Sequence, residues 1–151
     1  MTSSTQQPFK RTERRLAGKD QPTTDSVTSE RMGRVRQQGT TPELQVRQAL
    51  TGLGLRYTTH NRDLPGSPDL ANRSRRWAVF VHGCYWHRHK GCDKATTPKT
   101  NAEFWVTKFE FNRARDMRAQ RALRRLGFKV LVIWECEAAD SAGLRRRLKP
   151  W

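Results

Sequence analysis

The sequence predicts an α/β fold in which helices flank a central mixed β-sheet. Two continuous apolar runs, residues 77–81 and 128–134, are typical of strands buried on both faces. Between them, residues 101–126 carry apolar side chains at alternating spacings of four and three, which indicates one long amphipathic helix. Because strands and helices follow one another along the chain, we expect the helices to pack against one sheet.

The N-terminal part divides into a basic arm and the start of a folded domain. Residues 1–24 are rich in Ser, Thr, Gln, Lys and Arg and hold few apolar residues, so we expect a disordered arm there. We assign residues 25–151 to a single domain, which is a length that one core can fill. A short helix over residues 29–38 is predicted to end before Gly39, with Met32 among its few apolar residues.

The next helix is predicted to begin at Thr41, where a hydroxyl cap precedes a proline in the first turn, and to end at Gly54. Its predicted apolar face consists of Leu44, Ala49, Leu50 and Leu53. Residues 55–61 are predicted to form a strand, residues 64–68 a turn, and residues 69–71 a second short strand.

The second half of the chain begins with the strand over residues 77–81. Residues 82–99 are rich in Gly, His and Lys and are predicted to form an irregular loop. Asn101 is expected to cap the long helix, and Gly127 to end it. The strand over residues 128–134 and a last basic helix over residues 138–148 complete the predicted fold.

The charge of the chain favours a polyanionic partner. Thirty Lys and Arg face 14 Asp and Glu, which gives a formal net charge of +16. Nucleic acid is the default partner for such a charge. A membrane surface is the competitor, but no apolar run approaches the length of a span and no apolar signal segment is present, so a cytoplasmic, nucleoid-associated location is expected.

Three cysteines and a histidine have the character of a zinc site. Cys84, His89 and Cys92 lie within nine residues of the irregular loop, and Cys136 follows a predicted core strand. Three thiolates and an imidazole are a common structural set for Zn²⁺, which would fold a loop with little apolar content of its own. The alternative is three unconnected buried or reactive thiols beside an unrelated histidine.

A second group of residues has the character of a catalytic site. Asp69 begins a short strand directly after the turn, and a carboxylate there is a suitable Mg²⁺ ligand. His82 ends the next strand, so a hairpin would bring it close to Asp69, and His87 follows five residues later. Taken alone, Asp69 would more simply be a turn-capping aspartate.

Two further carboxylates have both a structural and a functional interpretation. Asp116 and Asn112 interrupt the apolar stripe of the long helix, which otherwise consists of Trp105, Phe109, Ala119, Leu123 and Leu126. Asp116 either pairs with an arginine or orients a histidine of the site, and the sequence does not favour one of the two. Glu43, in a first helical turn, either stabilises the helix end or acts as an outer-shell Mg²⁺ ligand.

Four segments of the chain resemble the very-short-patch-repair endonucleases, over about residues 25–136. They are Leu64-Pro-Gly-Ser-Pro-Asp69, Val79-Phe-Val-His-Gly-Cys-Tyr-Trp-His87, Glu103-Phe-Trp105 and Val130-Leu-Val-Ile-Trp-Glu-Cys136. The second and fourth segments are specific, whereas the Pro-Asp step alone is common.

The resemblance implies a fold similar to that of type II restriction endonucleases and a site with two kinds of metal. Asp69 matches the family's Mg²⁺ ligand, and Val81 stands where the family often has a threonine. Valine serves there if the metal ligand is the main-chain carbonyl, but not if the threonine hydroxyl takes part. His82 and His87 match the catalytic histidines, and Glu43 and Asp116 match supporting acids. The implied zinc ligands are the four found from spacing: Cys84, His89, Cys92 and Cys136.

The resemblance also implies how DNA would be bound and cut. The family nicks duplex DNA on the 5′ side of the T in T:G mismatches that arise by deamination of 5-methylcytosine. Its wedge residues match Tyr85, Trp86, Trp105 and Met32, although Trp105 also suits core packing. A monomer is expected, with mismatch repair proteins and a methyltransferase as the implied partners. The rival hypotheses are a nicking nuclease without mismatch preference and a non-catalytic zinc module that binds DNA.

Overall fold

A mixed three-stranded sheet forms the centre of the computed structural model, which describes Arg34 and residues 38–151. The elements are helix α1 (Thr41–Gly52), strands β1 (Leu70–Asn72) and β2 (Trp77–His82), helix α2 (Ala102–Arg125), strand β3 (Lys129–Trp134), and helices α3 (Glu135–Ala138) and α4 (Ser141–Leu148). The predicted arm over residues 1–24, most of the predicted helix over residues 29–38, and Met32 lie outside the described residues.

The strand order β1-β2-β3 places β2 in the middle of the sheet. Strand β1 pairs with β2 in antiparallel orientation, whereas β3 pairs with β2 in parallel orientation. In the parallel pair, Trp77 faces Lys129 at one end and His82 faces Trp134 at the other. The carboxyl ends of β2 and β3 therefore coincide, and the segments that leave them begin side by side.

Helices cover the sheet on both sides, as the sequence predicts. Val79 and Ile133 point into a core that α1 and α4 complete with Leu50 and Leu148. Phe80 points to the other side, where α2 covers it. Residues of β2 are thus buried alternately in two cores, which confirms the prediction from its continuous apolar run.

Strand β3 is less buried than its apolar sequence predicts. Only Ile133 among its residues is fully enclosed. The cause is position, because β3 lies at the edge of the sheet and has β2 as its one neighbour within the described chain. The mixed α/β class is confirmed, and the more specific likeness to restriction endonucleases remains a prediction.

Helix α1 differs in detail from the prediction. It begins at Thr41 with Thr40 at the capping position, and it ends at Gly52, two residues before Gly54. Its inward residues are Glu43, Val46, Ala49 and Leu50. Leu44 was expected to be on this face but is 53% exposed, because the helical turn carries it away from the direction that positions 43, 46 and 50 share.

The strand predicted over residues 55–61 is wrong. Within the described chain this segment makes one isolated bridge, in which Thr58 and Ala71 exchange main-chain hydrogen bonds. The buried Asn61 side chain then donates to the carbonyl oxygens of Thr58 and Pro68, at 2.9 and 3.0 Å. These bonds turn the chain back on itself and end the pairing after one residue pair.

The long helix α2 is confirmed, but its start is not as predicted. Asn101 occupies the capping position in a left-handed conformation, with φ of 56°, whereas a capping side chain requires extended backbone. Gly127, with φ of 83°, follows the helix as predicted. Leu126 was expected on the buried stripe and is 49% exposed, because it lies beyond the last helical residue.

The predicted last helix over residues 138–148 is two helices. Helix α3 is a single turn directly after β3, and Asp140 caps the start of α4 by accepting a hydrogen bond from the Gly143 amide at 3.1 Å. No helix in residues 38–151 combines the length and the apolar character that a membrane span requires.

Candidate active site and metal cluster

A cleft of about 980 Å³ opens beside the carboxyl end of β2, between the start of α1 and the middle of α2. The six residues that the sequence assigned to catalysis or Mg²⁺ binding all line it: Glu43, Asp69, Val81, His82, His87 and Asp116. They come from five different parts of the chain, and the sheet is what brings them together.

Asp69 lies at the start of β1, and one of its oxygens accepts a hydrogen bond from the Val81 amide at 2.7 Å. Burial raises its pKa to about 6, the Val81 hydrogen bond opposes that rise, and the nearby charge of Glu43 adds to it. A buried carboxylate whose ionisation is disfavoured in this way forms a site where a divalent cation would offset the cost of its charge. Hard oxygen donors of this kind suit Mg²⁺.

The two histidines of the cleft are stacked. The ring centroids of His82 and His87 are 3.9 Å apart, and their planes differ by 9°. Burial, together with the charge of His87, lowers the pKa of His82 to about 4, so this imidazole is neutral near pH 7. The neutral imidazole of His82 therefore packs against the imidazole of His87, which lines the cleft.

Asp116 makes its principal contact with a histidine. One of its oxygens hydrogen-bonds to Nδ1 of His87, while the nearest arginine nitrogen, Nε of Arg115, is 4.0 Å from the other oxygen. Of the two interpretations that the sequence left open, the geometry favours the carboxylate that orients a histidine. Asn112, one turn earlier, donates to the Trp86 carbonyl at 3.3 Å and holds the loop near His87.

Glu43 makes the helix-end contacts of its structural interpretation and also lines the cleft, as its functional interpretation requires. It is 5% exposed and accepts hydrogen bonds from the Gly39 amide at 2.8 Å and the Thr40 hydroxyl at 3.4 Å. Arg47 approaches it at 3.6 Å from the next turn of α1. Glu43 therefore stabilises the start of the helix and also places negative charge at the cleft.

The four predicted zinc ligands form one cluster, which we call the Cys/His cluster: Cys84, His89, Cys92 and Cys136. Their ligand atoms all lie within 4.8 Å of one another. Nδ1 of His89 is 3.6 Å from the Cys84 sulfur and 3.3 Å from the Cys136 sulfur. Burial raises the pKa of the Cys84 thiol to about 12, so a thiolate there needs a cation beside it. Three sulfurs and one imidazole nitrogen fit Zn²⁺.

Residues outside the predicted set hold the cluster loop in place. Glu135 accepts a hydrogen bond from the Cys84 amide at 3.3 Å and pairs with Lys94 at 3.1 Å. Arg88 donates to the Ala95 carbonyl at 2.6 Å and lies over the Phe109 ring, 4.9 Å from its centroid. Sequence reasoning missed these contacts, because charged residues are common here and only the fold shows which ones meet.

The predicted wedge residues differ in exposure. Tyr85 and Trp86 line the cleft and pack edge to face, with centroids 5.1 Å apart. Trp105 is 4% exposed and packs against both of them and Phe109, as the core interpretation expects. Lys108, also on the cleft, lies 5.9 Å from the Trp86 ring. The cleft thus has an aromatic and basic side next to its acidic one.

Comparison with known proteins identifies relatives along most of the chain. The sequence profile described as DNA mismatch endonuclease Vsr matches residues 20–94. A protein of Xanthomonas oryzae named Type II nicking enzyme V.XorIIP is 45% identical over 130 residues, which cover 83% of this chain and 95% of the relative. The Neisseria meningitidis Type II nicking enzyme V.NmeAIP is 38% identical, with 83% and 89% covered. The Escherichia coli DNA mismatch endonuclease Vsr is 36% identical, with 83% of each chain covered.

Proposed function

Since the chain belongs to the DNA mismatch endonuclease Vsr family and is an endonuclease, we propose that it nicks one strand of duplex DNA on the 5′ side of the T in a T:G mismatch. The observation that carries this proposal is the convergence of Asp69 and the His82–His87 pair on one cleft beside an aromatic and basic wall. The nick would begin the repair of deaminated 5-methylcytosine.

The acidic side of the cleft would hold the catalytic metal. Asp69 and the main-chain carbonyl of Val81 would be ligands for Mg²⁺, with Glu43 as an outer contributor of charge. When bound, Mg²⁺ supplies polarisation of the scissile phosphate and stabilisation of the leaving oxygen. The Val81 side chain has no part in this, so the absence of a threonine hydroxyl at this position is compatible with the chemistry.

The histidines would manage the proton of the attacking water. His87, whose Nδ1 is engaged by Asp116, presents its other ring nitrogen as the general base. Nearby His82 stays neutral, and its stacked ring limits rotation of His87. Tyr85 and Trp86 would enter the duplex beside the mismatch, where unstacking costs least.

The decisive experiment compares duplexes that differ in one base pair. With Mg²⁺ present, we expect nicking of a T:G duplex and little or none of the T:A and C:G duplexes of the same sequence. Asp69→Ala should lose nicking and retain binding, while Asp63→Ala, at an exposed position, should nick normally. Nicking by Asp69→Ala at the normal rate would refute the catalytic assignment.

A nicking nuclease without mismatch preference is the second candidate, because two of the three relatives described above are named Type II nicking enzymes. Equal nicking of T:G and T:A duplexes would favour it. Varying the bases that flank the mismatch would then define the sequence that is recognised.

The Cys/His cluster would bind a structural Zn²⁺. The metal would contribute folding energy to the loop, which has few apolar residues of its own. We expect purified protein to contain one zinc per chain and His89→Gln to lose it. His60→Gln, at an exposed position outside the cluster, is the matched control and should keep its zinc. Full metal content in His89→Gln would contradict the assignment.

A further inference from the structure

We propose that Trp134 is a positioning residue that couples the Cys/His cluster to the histidines of the cleft. The inference deepens the proposed function and rests on it for the identity of the catalytic histidines. Trp134 ends β3 directly before the Glu135-Cys136 step, and its Cα partner across the parallel pair is His82, the last residue of β2.

The indole of Trp134 contacts an imidazole from each of the two sites. Its ring is stacked on His89 of the cluster, with centroids 4.3 Å apart and planes that differ by 8°. It also meets His82 of the cleft edge to face, with centroids 5.4 Å apart and an angle of 74°. One side chain therefore touches both a candidate metal ligand and a candidate catalytic residue.

These contacts continue a series of rings that ends at a carboxylate. His82 is stacked on His87, and His87 hydrogen-bonds to Asp116 on α2. In order, the series runs His89, Trp134, His82, His87, Asp116. Trp134 packs against the His82 ring, and His82 in turn packs against the His87 ring. The orientation of both imidazole planes therefore depends on the indole.

The main chain of Trp134 is anchored separately from any metal. Its amide donates to the Glu137 carboxylate at 2.9 Å, and Arg147 of α4 pairs with the same carboxylate. Arg147 also donates to the Val132 carbonyl at 3.2 Å. The main chain that carries the indole is therefore held in place. Because the planar ring contacts both His89 of the Cys/His cluster and His82 of the cleft, a displacement of His89 would be passed on to His82. An aliphatic side chain would fill the same space without defining a ring plane.

The test compares three tryptophan variants of the full-length protein. Trp134→Leu removes the ring, and Trp134→Phe keeps an aromatic face. Trp151→Leu removes a tryptophan that packs against the core containing Leu50 and Leu148. Each is measured for zinc content, for nicking rate at saturating and subsaturating T:G duplex, and for the imidazole ¹⁵N signals. The chain has four histidines, so each imidazole can be assigned.

We expect Trp134→Leu to keep its zinc. Its nicking rate at saturating DNA should fall roughly tenfold, which is the size of effect that losing one or two aromatic interactions implies. Its KM should change by less than about twofold. The His82 and His87 signals should shift or broaden while that of His60 stays in place. Trp134→Phe should recover most of the rate, and Trp151→Leu should nick normally.

The proposal is overturned if Trp134→Leu nicks at the normal rate, if Trp134→Phe is as slow as Trp134→Leu, or if the rate follows zinc content in every variant. If Trp134→Leu does not fold, Trp134→Met carries the same expectations. The imidazole signals are measured without DNA. Unshifted His82 and His87 signals would therefore refute the coupling itself, whereas shifted signals in a protein that does not nick T:G duplexes would refute only the proposed function.

Discussion

The contact between Asp116 and His87 joins a helix to the cluster loop and fixes one nitrogen of the imidazole. In Asp116→Asn the negative charge beside the His87 imidazole is removed, although the shape of the side chain is kept. We expect the nicking rate to fall by roughly 10- to 100-fold, the usual effect of removing a carboxylate that orients a functional histidine. Single-turnover nicking measures this decrease.

Asp63→Asn is the matched control for that change. Asp63 pairs with Arg73 at 2.7 Å on the surface, and its side chain is 66% exposed. Its removal should leave the rate unchanged. An Asp116→Asn enzyme as fast as this control would show that the His87 contact is structural only.

Asp69 is expected to reduce the stability of the fold whenever Mg²⁺ is absent. Burial raises its pKa from 3.8 to about 6, so folding favours the protonated form. The destabilisation of the fold by the buried carboxylate is absent below about pH 4, where Asp69 is protonated in both states, and reaches its full size above about pH 6. Asp69→Asn keeps an oxygen for the Val81 amide and removes the charge, so its free energy of unfolding should rise by on the order of 3 kcal/mol at neutral pH.

Melting temperatures at about pH 7.5 without Mg²⁺ test this expectation. A gain of that size corresponds to a rise of roughly 6–12 °C in the melting temperature of Asp69→Asn. Added Mg²⁺ should raise the melting temperature of the native protein and leave that of the variant unchanged. A variant that melts below the native protein would mean that the carboxylate is stabilised by contacts other than a cation.

At the scale of elements, the turn over residues 64–68 lies directly against α2. Gly66 has φ of 73°, and a β-carbon there would overlap the β-carbon of Ala119. Gly66→Ala should therefore destabilise the protein by about 2–5 kcal/mol, because overpacking and backbone strain add. The floor of the cleft should be displaced as well, because Gly66 and Ala119 both line it.

Gly54→Ala separates the two causes. Gly54 has a similar φ of 70°, but a β-carbon there would meet no atom within 4 Å. Its cost should be the strain alone, about 1–2 kcal/mol. The double change Gly66→Ala with Ala119→Gly should recover the difference, apart from the roughly 1 kcal/mol that a glycine costs inside helix α2. Equal unfolding free energies for the two single variants would show that the turn moves away from α2 at little cost.

The elements that are predicted well from sequence are those whose apolar residues recur with a clear strand or helix spacing. The apolar run of β2 and the spacing on α2 follow from burial by a central sheet. Both are found as predicted, except that Leu126 lies beyond the end of α2 and is exposed. Residues 55–61 alternate like a strand, but the buried Asn61 ends the pairing by bonding to carbonyls on either side of the turn. Such hydrogen bonds from a side chain to main-chain carbonyls leave no periodic signal in the sequence.

At the scale of the molecule, the candidate site was predictable because its residue types are chemically distinctive. Cysteine and histidine are rare in this chain, so the Cys/His cluster could be proposed from spacing and is assembled in the structure. The contribution of Trp134 was not predictable, because an aromatic residue at the end of an apolar strand has the pattern of core. Only the pairing of β2 with β3 places it between two imidazoles.

The charge of +16 implies that much of the affinity for DNA comes from phosphate contacts. Residues 1–24 hold five basic residues: Lys10, Arg11, Arg14, Arg15 and Lys19. Changing all five to Gln should reduce the slope of log K against log salt by about 0.9 for each phosphate that these side chains neutralise. The preference for T:G over matched duplex should persist, because phosphate contacts carry no base information.

Binding titrations at several salt concentrations measure both the salt slope and the preference for the mismatch. An unchanged slope would mean that the N-terminal residues do not touch the DNA backbone, and a vanished preference would mean that they contribute to recognition of the mismatch.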